Sequence, residues 1–456
     1  MNKLSHQAIC PIPLPVRTVT VLGASGTMGA AIAGLFAAYG NAHVFITGRN
    51  AEHTRTAVSR AARSVRGDSI RSRLTPVAWE ELESAVAASD LVFESVAEDP
   101  AVKASVLSRA AAVLRPDALL CTGSSGLSVA ALAGALPDGV RNRFFGMHLF
   151  NPPGKMTLCE LIASPYTDMT LLKAVLPWLE GTLGRHVVCP KDRPAFLANR
   201  IGLAFLHKAA WMADECRGRG GIDYVDALLG GFSGRAMPPL ATVDFIGLDV
   251  HAAIVRNLWD NTDDCLHDLY RLPPYMDDLI AHGALGRKSG GGLFRRGTDE
   301  AGHEVREVYD IASGKYRRAV RYAFPFAKGM CACLHEGNYT GAFRILLQDA
   351  SEEAHRCRTM LGQYVLYAAV VAEDTGCSLH DADVAMAAGF NWCPPLALLD
   401  ALRTAGDPFG LCAPLCRGEQ ERAAFARLQN ATAAPGARDG RLSAFDYRPF
   451  FRAEEV

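Results

Sequence analysis

Residues 19–34 read VTVLGASGTMGAAIAG: a β-branched run, a turn with glycines at 23, 26 and 29, then a stretch of small helix-forming residues. Glycines at that spacing let the backbone turn tightly and approach a pyrophosphate, whose charge is stabilised by the free N–H groups at the helix start. A glycine-rich turn alone is weak evidence; here it follows a predicted first strand, opens a predicted helix and begins a longer alternation. HVFIT, LVFESV, ALLCTG and FFGMHLF recur between Ala-rich stretches predicted as helices at 30–39, near 52–64 and near 102–114. Strand and helix in alternation predict a parallel sheet covered on both faces, a Rossmann-type α/β domain with Gly23, Ser25, Gly26, Thr27, Met28 and Gly29 at a dinucleotide.

Beyond the sheet the pattern turns helical and carries a weak internal repeat. GFSGRAMPPLATVD (231–244) is echoed by GFNWCPPLALLD (389–400), each after an Ala-rich helix with acidic residues, Asp223 and Asp226 in one copy, Asp381 and Asp383 in the other. A Pro-Pro start, an apolar helix and an Asp four residues after the Leu recur in both, as expected of a duplicated all-α helical unit. Between the copies, GRKSGGGLFRRGTDEAG (286–302) reads as turn and linker, and 431–441 as a loosely ordered tail. The expected domains are a flexible lead at 1–15, the dinucleotide-binding domain at 16–190, helical copies at 191–300 and 301–405, and a C-terminal extension at 406–456.

Composition bounds the function. At 456 residues, 49% hydrophobic and 21% charged, the chain is an ordinary globular sequence of several domains. A net charge of -1 without a long basic or acidic run indicates neither a nucleic-acid footprint nor a membrane-surface patch, so small molecules are the expected partners. No stretch approaches ~20 uninterrupted apolar residues, and the N-terminus, MNKLSHQAICPIPLPV, has no cleavage-site pattern; the expected location is the cytoplasm. Thirteen cysteines without a CxxC pair predict free buried thiols rather than a zinc site or a disulfide framework.

Residues 145–162, FGMHLFNPPGKMTLCELI, set one His and one Glu in two apolar runs separated by a Pro-Pro-Gly turn. If those runs are adjacent strands, Glu160 orients one imidazole nitrogen of His148 while the other exchanges a proton with substrate. A lone His on an apolar run is more often a satisfied core residue, so the surrounding motifs have to decide. After HVFIT stand Gly48, Arg49 and Asn50, where an NAD-selective site normally carries an acid for the adenosine ribose hydroxyls. An acid would repel a 2′-phosphate, whereas Gly48 makes room and Arg49 can pair with it, which favours NADP(H) over NAD(H); a merely solvated Arg49 would leave NAD(H).

Over residues 16–401 the chain resembles the 3-hydroxyacyl-CoA dehydrogenase family, in its long bacterial form without the enoyl-CoA hydratase module. The resemblance rests on GASGTMG, LVFESVAEDPAVK, SSGLSV, FGMHLFNPP with CELI, KDRPAFLANRIG, MPPLATVDFIGLDV and LGRKSGGGLF, in that order. It implies an NAD(P)-dependent oxidoreductase of fatty acid metabolism that needs no metal. Its Rossmann domain would be followed by two helical units resembling a duplicated family C-terminal domain, packed as an internal pseudo-dimer, with a homodimer left open. By the same resemblance His148 is the general acid/base and Glu160 its orienting partner, Ser125 hydrogen-bonds the C3 oxygen of substrate, Asn199 completes the polar site, and Glu98 and Lys103 lie near the nicotinamide ribose. Functionless readings also exist: Ser125 as a turn residue, Asn199 as a helix cap, Glu98 with Lys103 as a surface ion pair.

Three stretches depart from the family. The turn has one residue more than GxGxxG, Gly123-Ser124-Ser125 replaces Asn-Thr-Ser, and the segment after Arg49 is short where the family carries basic residues that reach the CoA phosphates. Arg60, Arg63, Arg66 and Arg71 remain as basic candidates there, with a solvated helix face as the other reading. The expected reaction is hydride transfer at C3 of an acyl thioester carried by CoA or a carrier protein; a free hydroxy acid substrate and a non-catalytic nucleotide-binding or structural homologue are the alternatives.

Overall fold

The computed structural model describes residues 16–433, so the lead expected at 1–15 and most of the tail expected at 431–441 lie outside the described residues. Two compact units divide between Asp192 and Arg193. The first runs β1 (Thr18–Leu22), α1 (Thr27–Ala38), β2 (His43–Thr47), α2 (Ala51–Ser64), β3 (Leu74–Val77), α3 (Leu82–Ala87), β4 (Leu91–Glu94), α4 (Pro100–Ala111), β5 (Leu119–Thr122), α5 (Val129–Gly134), α6 (Asp138–Arg141), β6 (Phe144–Leu149), β7 (Leu158–Ala163), α7 (Met169–Pro177) and β8 (His186–Val188).

These strands form one sheet in the order β3-β2-β1-β4-β5-β6-β7-β8. Neighbours are parallel from β3 through β6, as the alternation predicts, whereas β7 runs antiparallel to β6 and β8 parallel to β7. Val19, Val21, Ile46 and Phe93 of the strands pack with Ile32, Leu35 and Phe36 of α1 in one core, each such side chain contributing about 1.5–3 kcal/mol when fully buried. Strand order reverses between β1 and β4, and ligands of open α/β sheets bind at the carboxyl ends of the strands at such a point. The sequence reading missed β3 and β8 because LTPV and HVV are too short for a period to show.

The second unit begins with α8 (Ala198–Glu215), α9 (Ile222–Leu228), α10 (Pro239–Ile246), α11 (Leu248–Asn261) and α12 (Pro274–Ala281). Next come β9 (Phe294–Thr298), β10 (Glu304–Asp310) and β11 (Lys315–Arg318), an antiparallel three-stranded sheet. Then follow α13 (Pro325–His335), α14 (Tyr339–Gln348), α15 (Glu352–Asp374), α16 (Leu379–Phe390), α17 (Pro395–Ala405), α18 (Phe409–Cys412) and α19 (Glu419–Ala433). Residues 286–302, read as turn and linker, therefore contribute a strand, and a boundary at residue 300 would cut the β9–β10 hairpin. Cross-strand pairs hold this sheet: Arg295 to Glu307 at 2.6 Å, Arg306 over the Phe294 ring at 4.0 Å, Tyr309 against Tyr316 at 5.6 Å. Charged and aromatic pairs of that kind leave little apolar alternation to read.

One local device occurs twice in this unit. The Asp226 carboxylate accepts from Leu240 N at 2.7 Å and Ala241 N at 3.0 Å, and Asp383 accepts from Leu396 N at 2.8 Å. Both carboxylates serve helices that open on Pro-Pro, and an acceptor brought from the preceding helix satisfies first-turn N–H groups that no cap side chain reaches. The two regions also meet through a Cys393 N to Gly234 O bond of 2.7 Å, beside an antiparallel bridge of Arg235 with Trp392. Among the described residues no helix is long and apolar enough to cross a membrane.

Candidate active site

Antiparallel register sets His148 of β6 directly opposite Glu160 of β7. The twofold period of the strands turns Phe145, Met147 and Leu149 of β6, with Cys159 and Leu161 of β7, into the core, which leaves His148 and Glu160 together on the other face. There His148 Nδ1 stands 2.6 Å from Glu160 Oε2, the side chains 4% and 0% exposed. A carboxylate so placed accepts the Nδ1 proton, which sets the tautomer and puts the lone pair of the neutral ring on Nε2, the arrangement a positioned acid/base requires. The Phe150 ring, centred 4.4 Å from the imidazole, packs against it.

A second polar centre lies at the ends of β4 and β5. Fully buried Glu94 closes β4 and accepts from Lys103 Nζ at 2.7 and 3.0 Å, Thr122 Oγ1 at 2.5 Å and Val96 N at 2.7 Å. Lys103, 1% exposed, also pairs with Glu98 Oε2 at 3.2 Å. Glu98 Oε1 in turn accepts from Ser124 Oγ at 2.5 Å, Ser125 N at 2.8 Å and Gly126 N at 3.2 Å. Burial alone would raise the Glu98 carboxyl, but the Lys103 charge and the Ser124 and Ser125 hydrogen bonds outweigh it and hold it below the usual carboxylate range. The turn presenting Ser125 is thus tied to an ionised carboxylate, and Lys103 bridges two acids rather than one. Sequence reasoning missed Glu94; its only signal is a lone acid ending the apolar run LVFE. At Gly123 a Cβ would fall 2.7 Å from the Phe93 ring.

At the glycine-rich turn, Gly23 has φ +84°, and a Cβ on it would meet Ser95 O at 2.5 Å, so β1 can turn beside β4 only without a side chain there. Helix α1 starts at Thr27 with no side-chain cap and no acid in its first turn. Gly26 and Thr27 are exposed, while Met28 is half-buried and Gly29 buried. Open donors, the positive end of a helix and no competing carboxylate fit a pyrophosphate. At the end of β2, Gly48 is buried and Arg49 exposed.

Of the four arginines after Arg49, Arg60 reaches back from α2 to the Ser25 carbonyl at 2.6 Å, Arg71 bonds Asp68 at 2.9 Å, and Arg63 and Arg66 are exposed. Asn199 lies in the first turn of α8, whose cap is Leu197, so it is not the cap of that helix. The structure therefore brings His148 to Glu160, and Glu98 to Lys103 and Ser125, within the first unit; Asn199 belongs to the second.

Residues 18–193 match the family model described as 3-hydroxyacyl-CoA dehydrogenase, NAD binding domain, and residues 196–296 that of the 3-hydroxyacyl-CoA dehydrogenase C-terminal domain. The probable 3-hydroxyacyl-CoA dehydrogenase of Bacillus subtilis is 27% identical over 335 residues, covering 73% of this chain and 41% of that protein. A mitochondrial hydroxyacyl-coenzyme A dehydrogenase of Sus scrofa is 29% identical over 294 residues, covering 61% of this chain and 91% of that protein. The chain spans about two fifths of the length of the first curated relatives it matches. The crystal structure of 3-hydroxybutyryl-CoA dehydrogenase from Escherichia coli shares the fold, with a TM-score of 0.65 at 22% identity over 91% of this chain and 98% of that one.

Proposed function

The chain belongs to the 3-hydroxyacyl-CoA dehydrogenase family, and from that premise we propose that it interconverts 3-hydroxyacyl and 3-ketoacyl thioesters, carried by CoA or a carrier protein, with NADP(H) favoured over NAD(H). The buried His148–Glu160 pair carries this reading, because proton exchange at a C3 oxygen needs an oriented imidazole. The nicotinamide coenzyme, when bound, supplies or takes the hydride at C3. In reduction His148 gives a proton from Nε2 to the developing alkoxide; in oxidation the same nitrogen takes the hydroxyl proton, and Glu160 holds Nδ1–H in both directions. Ser125 steadies that oxygen, while Glu98 and Lys103 serve the nicotinamide-ribose end. The turn from Gly23 to Gly29, with Ser25, Gly26, Thr27 and Met28, receives the pyrophosphate, and Arg49 pairs with the 2′-phosphate.

The same proposal takes the helical segments as one duplicated unit forming an internal pseudo-dimer, with the copies meeting after the three-stranded sheet. The matching Asp226 and Asp383 contacts support it, as does the backbone bond between Gly234 and Cys393. A cytoplasmic location is part of the reading, and the absence of a disulfide among the described cysteines fits a reducing compartment.

Acetoacetyl-CoA reduction, measured with NADPH and with NADH and set beside free acetoacetate, tests the proposal. Thioester turnover with NADPH preferred is the expected result; turnover of the free acid alone would overturn the thioester, and clear NADH preference would overturn the role of Arg49. His148→Asn should lower kcat on the order of a hundredfold to ten-thousandfold. An unchanged rate in a folded variant would remove the dyad from the mechanism.

A further inference from the structure

We propose that Arg60 of α2 is a second ligand for the coenzyme 2′-phosphate, drawn to the end of the sheet by Ser25 of the glycine-rich turn; this rests on the NADP(H) reading above. Ser25 and Gly48 are packed together. A Cβ at position 48 would fall 2.6 Å from Ser25 Oγ and 2.7 Å from Ser25 Cβ, with Thr54 Oγ1 at 2.9 Å. Contacts that short cannot stand without a shift of the turn, so with Ser25 where it is, no acidic side chain can project from position 48 towards a ribose.

Ser25 also recruits a cation. Its carbonyl accepts from Arg60 Nη2 at 2.6 Å, and the same nitrogen stands 3.4 Å from His53 O. Arg60 Nε, by contrast, is buried and makes no hydrogen bond. Among the described residues no carboxylate pairs with this guanidinium, so a partly buried positive charge with an unused donor stands beside the ends of β1 and β2. A phosphate monoester supplies the counter-charge that this guanidinium lacks, and a planar guanidinium matches its oxygens. Arg49, exposed on the strand side, and Arg60, from the helix side, would then hold one dianion between them.

Fluorescence titration of NADPH and NADH into the full-length protein, as wild type, Arg60→Gln and Arg60→Lys, tests this. Arg60→Gln should weaken NADPH about tenfold to a hundredfold, the usual worth of a charge-assisted hydrogen bond, while NADH binding stays within about twofold of wild type and Arg60→Lys recovers part of the loss. Wild type binding NADH more tightly than NADPH would overturn the NADP(H) reading itself. Wild type preferring NADPH, with both coenzymes weakened equally or neither weakened by Arg60→Gln, would leave that reading standing and reduce Arg60 to a brace for the turn. A loss seen only in the KM for acetoacetyl-CoA would assign the arginine to the thioester phosphate and likewise overturn the inference.

Discussion

Glu160→Gln isolates the charge in the dyad from its shape. Glutamine is nearly isosteric and keeps a carbonyl oxygen where Glu160 Oε2 accepts the His148 Nδ1–H at 2.6 Å, so the ring orientation and the packing of a side chain with 0% exposure should survive. What disappears, on the proposed mechanism, is the negative charge facing the imidazolium that would form as a 3-hydroxyacyl substrate is oxidised. Two unit charges about 4 Å apart interact by about 4 kcal/mol at an effective dielectric of about 20, an upper bound, and a charge-assisted hydrogen bond is worth about 1.5–3 kcal/mol net. At about 1.4 kcal/mol per factor of ten, kcat for oxidation should fall roughly tenfold to a hundredfold. KM should hardly change, because the lost interaction is made in the transition state rather than in the bound substrate. The assay is steady-state oxidation of 3-hydroxybutyryl-CoA followed by NADPH formation, with a thermal melt run on the same samples. A kcat within twofold of wild type in a variant that melts normally would mean that Glu160 is core packing and that the proton moves elsewhere.

Lys103→Met strips the cation from between Glu94 and Glu98 and leaves a carboxylate with 0% exposure uncompensated, which should cost about 3–5 kcal/mol; a loss below about 1 kcal/mol in urea denaturation would show that water or a proton reaches Glu94 instead. Lys208 offers a test by pH. Burial lowers its amine from the ordinary 10.5 to about 8, so the folded state gives up its proton while the unfolded chain still binds one, and stability should rise as pH climbs from about 8 towards 10.5. Below that window the buried charge penalises folding by on the order of 3 kcal/mol. Lys208→Met, facing walls of Ile201, Phe205, Met360 and Leu366, should therefore be more stable than wild type at neutral pH and lose that advantage near pH 10; an advantage constant across the range in urea midpoints would sink the account.

Much of the first unit was legible because its signals are local. The turn from Gly23 to Gly29 shows in order and spacing, since only glycine tolerates φ +84° beside Ser95. His148 and Glu160 could be proposed as neighbours because each is the one imidazole or carboxylate of its apolar run and the runs follow one another in the chain, and a period of two decides which residues share a face. Glu94 was not legible: its partners, Lys103 and Thr122, come from a later helix and a later strand, and nothing in LVFE says which atoms will face it. The three-stranded sheet was hidden for a related reason, its strands being joined by Arg–Glu and aromatic pairs that mean nothing until they lie opposite one another.

By itself, then, the amino-acid sequence determined the main alternation of strand and helix in the first unit, the glycine turn, the family and the acid/base candidates, all of which depend on neighbours in the chain. Only the tertiary structure decided that Lys103 serves two acids, that Ser25 fills the space beside Gly48, and that Arg60 reaches the turn from thirty-five positions further along. Charge pairing and close packing act through space, and they are specified only once the fold has brought distant residues within a few ångströms of each other.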